Sequence, residues 1–336
     1  MSAAEMSLER VSVIGAGAWG TALAILAQRA GRAATLWVRR AQLAAALRAD
    51  AENKEYLPDV PLDPAIAIAT DLAAAVNADA VIYAQPAQHF REFCRAAAPH
   101  WRQGTILVIA AKGIEISTGA LLMEIAAEAL PAAPVLVLSG PSFAGEAARG
   151  LPTAVAFASH DGGLVEAMMT ALAHGAFRPY GSDDPIGVEV AGAVKNVLAI
   201  ACGIVVGRGL GENARAALIT RGLAEVTRLA LAKGGRAETL MGLAGIGDLI
   251  LTCTSLTSRN TSLGFALGQG RPLKDILAAR HSVAEGVSTA AAVVTLADRI
   301  GVEMPIAAAV GRILADQSVI DDEVRALLAR PLKREA

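Results

Sequence analysis

Arg10-Val11-Ser12-Val13-Ile14-Gly15-Ala16-Gly17-Ala18-Trp19-Gly20 decides the fold. A short apolar run, Arg10–Ile14, reads as a strand. It meets a turn of the form Gly-x-Gly-x-x-Gly, and Ala18–Ala30 continues as a helix with Gly31 as its C′ residue. The glycine pattern alone is a weak signal; between a strand and a helix it marks a dinucleotide-binding β-α unit. In such a unit Gly15 allows the tight turn, Gly17 lets the backbone approach a pyrophosphate, and Gly20 lets the helix pack close to the sheet. The open N–H groups of the helix then face the phosphates.

Outward from this unit the alternation repeats. Ala34–Val38, Ala65–Ala69, Ala80–Tyr83, Thr105–Ala110, Val135–Ser139, Thr153–Ala158 and Phe177–Tyr180 read as strands, several of them continuous apolar runs suited to a buried parallel sheet. Ala41–Ala49 reads as a helix, Asp71 as the N-cap of a short helix, and Glu52–Pro64 as a loop broken by Pro58, Pro61 and Pro64. The expectation is an α/β Rossmann-type doubly wound sheet with right-handed crossovers, reaching about Tyr180.

After Asp184 strand signals stop. Val188–Val206 reads as a long helix, apolar nearly all round, followed by helices at Ala214–Ala232, Ser262–Leu267, Pro272–Ala279, Ser288–Arg299 and Ile306–Asp316. This gives an all-α C-terminal domain: residues 1–184 for the nucleotide and 185–336 for the substrate. A chain of 336 residues suits two domains sharing a cleft.

Composition removes other classes. Net charge is −2, so no basic surface suggests nucleic acid, and the sequence is 54% hydrophobic, enough for a large core. Cys94, Cys202 and Cys253 are odd in number and without a CxxC pair, which fits neither a disulfide framework nor a zinc site; no metal is expected, and a reducing, cytoplasmic setting fits. Val11–Gln28 carries no charge, but its glycines break it and Glu5 and Glu9 spoil a basic leader, so neither signal peptide nor membrane insertion is expected.

Several polar residues stand where chemistry would need them. The second strand ends Trp37-Val38-Arg39-Arg40 with no acid to take a ribose 2′-hydroxyl. Two guanidiniums there suit a 2′-phosphate and favour NADP over NAD; the alternative is two solvated surface arginines. Lys112 ends a strand, where it either points into the ligand crevice or stands in solvent. Lys195, beside Asn196, lies in the apolar helix. A buried ammonium there either has a lowered pKa and acts as acid or base, or snorkels at an interface. Asp248 lies among Gly245, Gly247 and apolar residues, read as a loop; it either pairs with Lys195 or makes an Asx turn. Ser258-Arg259-Asn260 precedes a helix, forming either a phosphate site or an ordinary cap with an exposed arginine.

Taken together these motifs resemble the bacterial NAD(P)-dependent glycerol-3-phosphate dehydrogenases. The resemblance runs from Val11 to about Leu332. Its most specific pieces are Gly15–Gly20, Ala111-Lys112-Gly113, Ser139–Phe143, Gly192–Ile200, Ala217–Gly222 and Ala244–Cys253 with Ser258-Arg259-Asn260. It implies that Lys195 is the acid/base at the substrate C2 oxygen, with Lys112, Asn196, Asp248 and Thr252 as its polar surround. It implies substrate contacts from Gly140 and Ser142, and phosphate contacts from Ser258, Arg259 and Asn260. For the cofactor it implies Ala18, Trp19, Arg39, Lys112, Ala144, Arg259, Val283 and Glu285. It also implies reduction of dihydroxyacetone phosphate for glycerophospholipid synthesis. A helical domain of this size often pairs, which would give a homodimer.

Two positions depart from the family pattern: Gln85-Pro86-Ala87 stands where Val-Pro-Ser is usual, and Ala18 where Ser is often found. Competing expectations are a lysine-dependent reductase of a 2-keto or 3-hydroxy acid, a non-catalytic NADP sensor, and a membrane enzyme suggested by hydrophobicity alone.

Overall fold

The computed structural model describes residues 8–279, 284–332 and 334. Ten strands form. The main sheet comprises β1 (Arg10–Ile14), β2 (Ala33–Trp37), β5 (Ala67–Ala69), β6 (Ala80–Tyr83), β7 (Ile106–Ile109), β8 (Val135–Ser139), β9 (Thr153–Ala158) and β10 (Phe177–Ser182). A separate hairpin is made by β3 (Glu52–Asn53) and β4 (Leu57–Pro61).

The main sheet runs β10-β9-β8-β7-β6-β1-β2-β5. Strand order reverses at β1, whose neighbours β2 and β6 both lie parallel to it. A crevice therefore opens beyond the carboxyl ends of β1 and β6, where ligands bind in such sheets. Side-chain alternation shows why the strands are apolar throughout. Ala80, Ile82, Ile106 and Val108 enter the core on one face; Val81, Tyr83, Leu107 and Ile109 enter the core on the other.

One expectation needs correction. β9 runs antiparallel to β8, and β10 parallel to β9, so the last two strands oppose the other six. Between β8 and β9 the chain holds only the five-residue helix Ala144–Ala148, too little for a full crossover. A second correction concerns Glu52–Pro64, which is not a plain loop. Its hairpin buries Leu57, Val60 and Leu62 against the first core. Asn53, fully buried, fastens it by donating to the Ala16 carbonyl at 3.0 Å and to Thr21 Oγ1 at 2.8 Å.

β10 ends at Ser182, and the helix Pro185–Gly207 follows. Asp184 caps it, accepting from the Gly187 amide at 2.9 Å, with Pro185 in the first turn. This helix is long and apolar enough to cross a membrane, yet helices pack around it until most of it is buried. The closest is Arg259–Gly268. A Cβ on Gly203 would lie 2.1 Å from the Thr261 carbonyl, and one on Gly264 2.0 Å from the Ile200 carbonyl. Glycine on both sides lets the two backbones touch, which sets Asn260 against Asn196, one residue from Lys195.

Candidate active site

The first helix, Ala18–Arg29, starts without a side-chain cap and without an acid in its first turn. Its N–H groups are therefore left for an anion. Gly15 sits at φ +114, and a Cβ on Gly20 would stand 1.8 Å from the Gly15 carbonyl. No atom lies within 4 Å of a Cβ built on Gly17, so that backbone is open to an approaching group. The turn thus has the shape a pyrophosphate needs.

The crevice holds about 920 Å³. It is lined by Gly15, Gly17, Ala18, Trp19, Arg39, Arg40, Lys112, Ser142 and Ala144 from the first half of the chain, and by Lys195, Asn196, Thr252, Ser258, Arg259, Asn260 and Glu285 from the second. Residues from the two halves of the chain thus face one space. Gly20 and Asp248 do not line it: Gly20 packs beneath the turn and Asp248 lies 1% exposed under the lysines. Gly140 acts from behind, its carbonyl accepting from Ser142 Oγ at 3.0 Å and Lys112 Nζ at 3.4 Å. Val283 lies outside the described residues.

Lys195 Nζ donates to Asp248 Oδ1 at 2.5 Å and to Thr252 Oγ1 at 2.9 Å. Asp248 Oδ2 accepts from Lys112 Nζ at 2.8 Å. One buried carboxylate therefore holds two ammonium groups. Burial pushes Lys195 down to about 8; Asp248 opposes the shift and Lys112 adds to it. Burial would raise Asp248, but the charges of Lys112 and Lys195 outweigh it and hold the carboxyl below its usual range. Burial also raises Glu285, against the opposing charges of Arg259 and Lys112.

Asp248 does not sit in a loop. A π turn spans Leu243–Gly247, and Asp248 opens the helix Asp248–Thr254, which puts Thr252 one turn further on, on the same face. The following helix begins at Arg259, three residues before the expected Ser262. Ser258 caps it, accepting from the Thr261 amide at 3.3 Å. Asn260 Nδ2 donates to Asn196 Oδ1 at 2.9 Å, and its Oδ1 accepts from the Gly286 amide at 3.0 Å. This fixes Asn196 with its carbonyl end occupied and its amide end left as a donor.

The two arginines separate. Arg39 is exposed at the crevice; Arg40 pairs with Glu55 at 2.6 Å. Glu55, Tyr56, Leu43 and His89 also line the crevice and carried no signal in the sequence; Phe143, within the Ser139–Phe143 motif, lines it too. Among the described residues no acid, histidine and cysteine cluster could hold a metal, and the three cysteines are free and buried.

Two family models match, described as the N-terminus and the C-terminus of NAD-dependent glycerol-3-phosphate dehydrogenase, over residues 10–165 and 184–325. The chain is 55% identical over 329 residues to glycerol-3-phosphate dehydrogenase [NAD(P)+] of Rhodospirillum rubrum, covering 98% of this chain and 94% of that one. It is 54% identical over 331 residues to the enzyme of the same description from Caulobacter vibrioides, covering 98% and 100%. The crystal structure of glycerol-3-phosphate dehydrogenase from Coxiella burnetii superposes with a TM-score of 0.93 at 40% identity, covering 96% of this chain and 99% of that one.

Proposed function

This chain belongs to the NAD-dependent glycerol-3-phosphate dehydrogenase family and interconverts dihydroxyacetone phosphate and sn-glycerol 3-phosphate with NAD or NADP; from that premise we propose that Lys195 passes the proton at the substrate C2 oxygen. The keto-acid reductase and sensor readings then fall away. The observation that carries the proposal is one buried ammonium, opening on the crevice and held by Asp248 and Thr252.

When bound, the nicotinamide gives or accepts the hydride at C2. In the reducing direction the C2 oxygen gains negative charge, and the Lys195 ammonium donates a proton to it. A pKa of about 8 suits both directions near neutral pH: ammonium to give, amine to take. Asp248 remains a carboxylate and keeps the Lys195 nitrogen in place through Oδ1, while Lys112 neutralises it through Oδ2. Thr252 Oγ1 accepts from the same nitrogen and so fixes its direction.

Asn196, with its amide end turned out as a donor, and Ser142, held from behind by the Gly140 carbonyl, form the polar wall against which the substrate is held. Arg259 and the N–H groups opening its helix bind the substrate phosphate, with Ser258 and the second amide hydrogen of Asn260 beside them. Binding the phosphate away from C2 orients the carbonyl.

Residues 1–184 hold the nucleotide through Gly15, Gly17, Ala18, Trp19 and Ala144, with Glu285, Val283 and Arg259 contributed by residues 185–336. Arg39 favours NADP by reaching its 2′-phosphate. We place the enzyme in the cytoplasm as a homodimer without membrane insertion, supplying glycerophospholipid synthesis. Following oxidation of NADPH and of NADH by dihydroxyacetone phosphate tests the reading. Turnover with both, faster with NADPH, is expected; no turnover in protein that binds nucleotide would overturn it.

A further inference from the structure

The acid that the end of β2 lacks is carried by the β3–β4 hairpin. The β3–β4 hairpin is fastened to the glycine turn through Asn53, and its tip carries Glu55 and Tyr56 into the crevice beside Gly17, Arg39 and Arg40. Glu55 Oε2 accepts from Arg40 Nη2 at 2.6 Å. The same nitrogen lies 3.3 Å from Tyr56 Oη, and the guanidinium stands 5.8 Å from the Tyr56 ring centroid. Arg40 therefore meets the nucleotide site with its charge already matched, whereas Arg39 makes no ion pair among the described residues.

We infer that Glu55 is the residue that admits NAD beside NADP, its carboxylate accepting from the ribose 2′-hydroxyl of NAD and yielding Arg40 to the 2′-phosphate of NADP. An acid that accepts from this hydroxyl ordinarily ends the second strand. Here two arginines follow the strand, and the β3–β4 hairpin delivers the carboxylate to them. With NAD, the Arg40–Glu55 pair stays closed, and the carboxylate, which can accept several hydrogen bonds at once, also takes the hydroxyl. With NADP, the phosphate repels Glu55 and attracts both guanidiniums. Exchange of partners is easy because the pair is half exposed, with side-chain exposures of 48% and 37%.

The inference rests on the nucleotide reading above and not on the substrate, so nucleotide binding without substrate tests it. Wild-type protein, Glu55→Gln and Arg40→Gln are titrated with NADH and with NADPH, following nicotinamide fluorescence. Glu55→Gln loses a charged acceptor for the hydroxyl and frees Arg40; the ratio of the two Kd values should move about tenfold towards NADPH. Arg40→Gln should weaken NADPH by a similar factor and NADH by less than about twofold. In turnover the shift should fall on the nucleotide KM, with kcat nearly constant, because Glu55 pairs with Arg40 whereas Lys112 and Lys195 pair with Asp248.

A Kd ratio unchanged by Glu55→Gln, or equal losses for both nucleotides in Arg40→Gln, would mean that the pair only braces the hairpin and would overturn the inference. If wild type binds both nucleotides but does not turn over dihydroxyacetone phosphate, the proposed reaction fails while the titration still decides Glu55. Binding of neither nucleotide would overturn both.

Discussion

Replacing Asp248 by asparagine tests how the site sets the charge on Lys195. In the wild type, Asp248 stands 2.5 Å from Lys195 Nζ and 2.8 Å from Lys112 Nζ. At an effective dielectric of about 20, opposite unit charges at such separations attract by roughly 6 kcal/mol. An asparagine keeps the size and one acceptor, which returns about 1–2 kcal/mol, and relaxation of the pocket returns more. A net loss of roughly 3 kcal/mol remains, which is about two pKa units. Repulsion between Lys112 and Lys195, no longer bridged, acts in the same direction. The Lys195 pKa should therefore fall from about 8 to about 6.

The assay is kcat/KM for dihydroxyacetone phosphate at saturating NADPH, taken across roughly pH 5 to 10. Reduction needs the ammonium, so the wild-type profile should be flat at low pH and fall above about 8. The variant should begin to fall about two units lower and be about tenfold slower at neutral pH from protonation alone. Oxidation of glycerol 3-phosphate needs the amine, so its rising limb should move down by the same amount. Breaking a buried pair costs about 3–5 kcal/mol, enough to lower the folded fraction, so the rate by itself decides little. The inflection does not depend on how much protein is folded. A lower rate with an unmoved inflection would refute the reasoning.

Three further outcomes are expected. Arg39→Gln should raise the KM for NADPH about tenfold through the loss of a charge-assisted contact, and leave that for NADH within about twofold; equal effects on both would place Arg39 outside the 2′-phosphate site. Burial raises Glu189 to about 8, although it accepts from the Leu122 amide at 2.6 Å. Between the ordinary glutamate value and about 8 the folded state keeps a proton that the unfolded chain releases, so stability should fall as pH rises through that window, by up to roughly 5 kcal/mol. Thermal unfolding against pH should show that slope and Glu189→Gln should flatten it; Glu225, raised to about 7 by burial, keeps a shallower one. Gly20→Ala must move the Gly15 carbonyl, 1.8 Å from the new Cβ, so nucleotide binding should be lost or the midpoint of unfolding should drop; normal binding with normal stability would contradict the packing argument.

What the sequence disclosed was local. The β1 strand, its glycine turn and its helix lie within twenty residues, and fully buried strands such as Ala80–Tyr83 show as unbroken apolar runs. Lys195 was legible because a charge stands out in an apolar helix, and its partnership with Asp248 followed from the need to match it. What stayed hidden depends on distance along the chain. Lys112 meets Asp248 across 136 positions, and nothing near either residue announces the other; only the family resemblance set both around Lys195. The hairpin bearing Glu55 has two short strands, one holding two prolines, and is fastened by a single buried asparagine to the glycine turn. Asp248 looked like a loop residue because Gly245 and Gly247 precede it, yet Gly247 adopts helical angles and the helix starts directly after it. The reversal at β9 was invisible because a strand's composition does not record its direction.

The central claim is that Lys195 carries the proton, and its replacement by methionine tests that most directly. Methionine fills the space of the stem without a titrating group. The measurement is kcat for reduction of dihydroxyacetone phosphate by the variant, with the Kd for NADPH taken on the same sample. Loss of a general acid predicts a fall of about 10²–10⁴-fold in kcat with NADPH binding within about twofold of wild type. A variant that binds NADPH normally and keeps kcat within about tenfold of wild type would contradict the account, since another group would then be protonating the C2 oxygen.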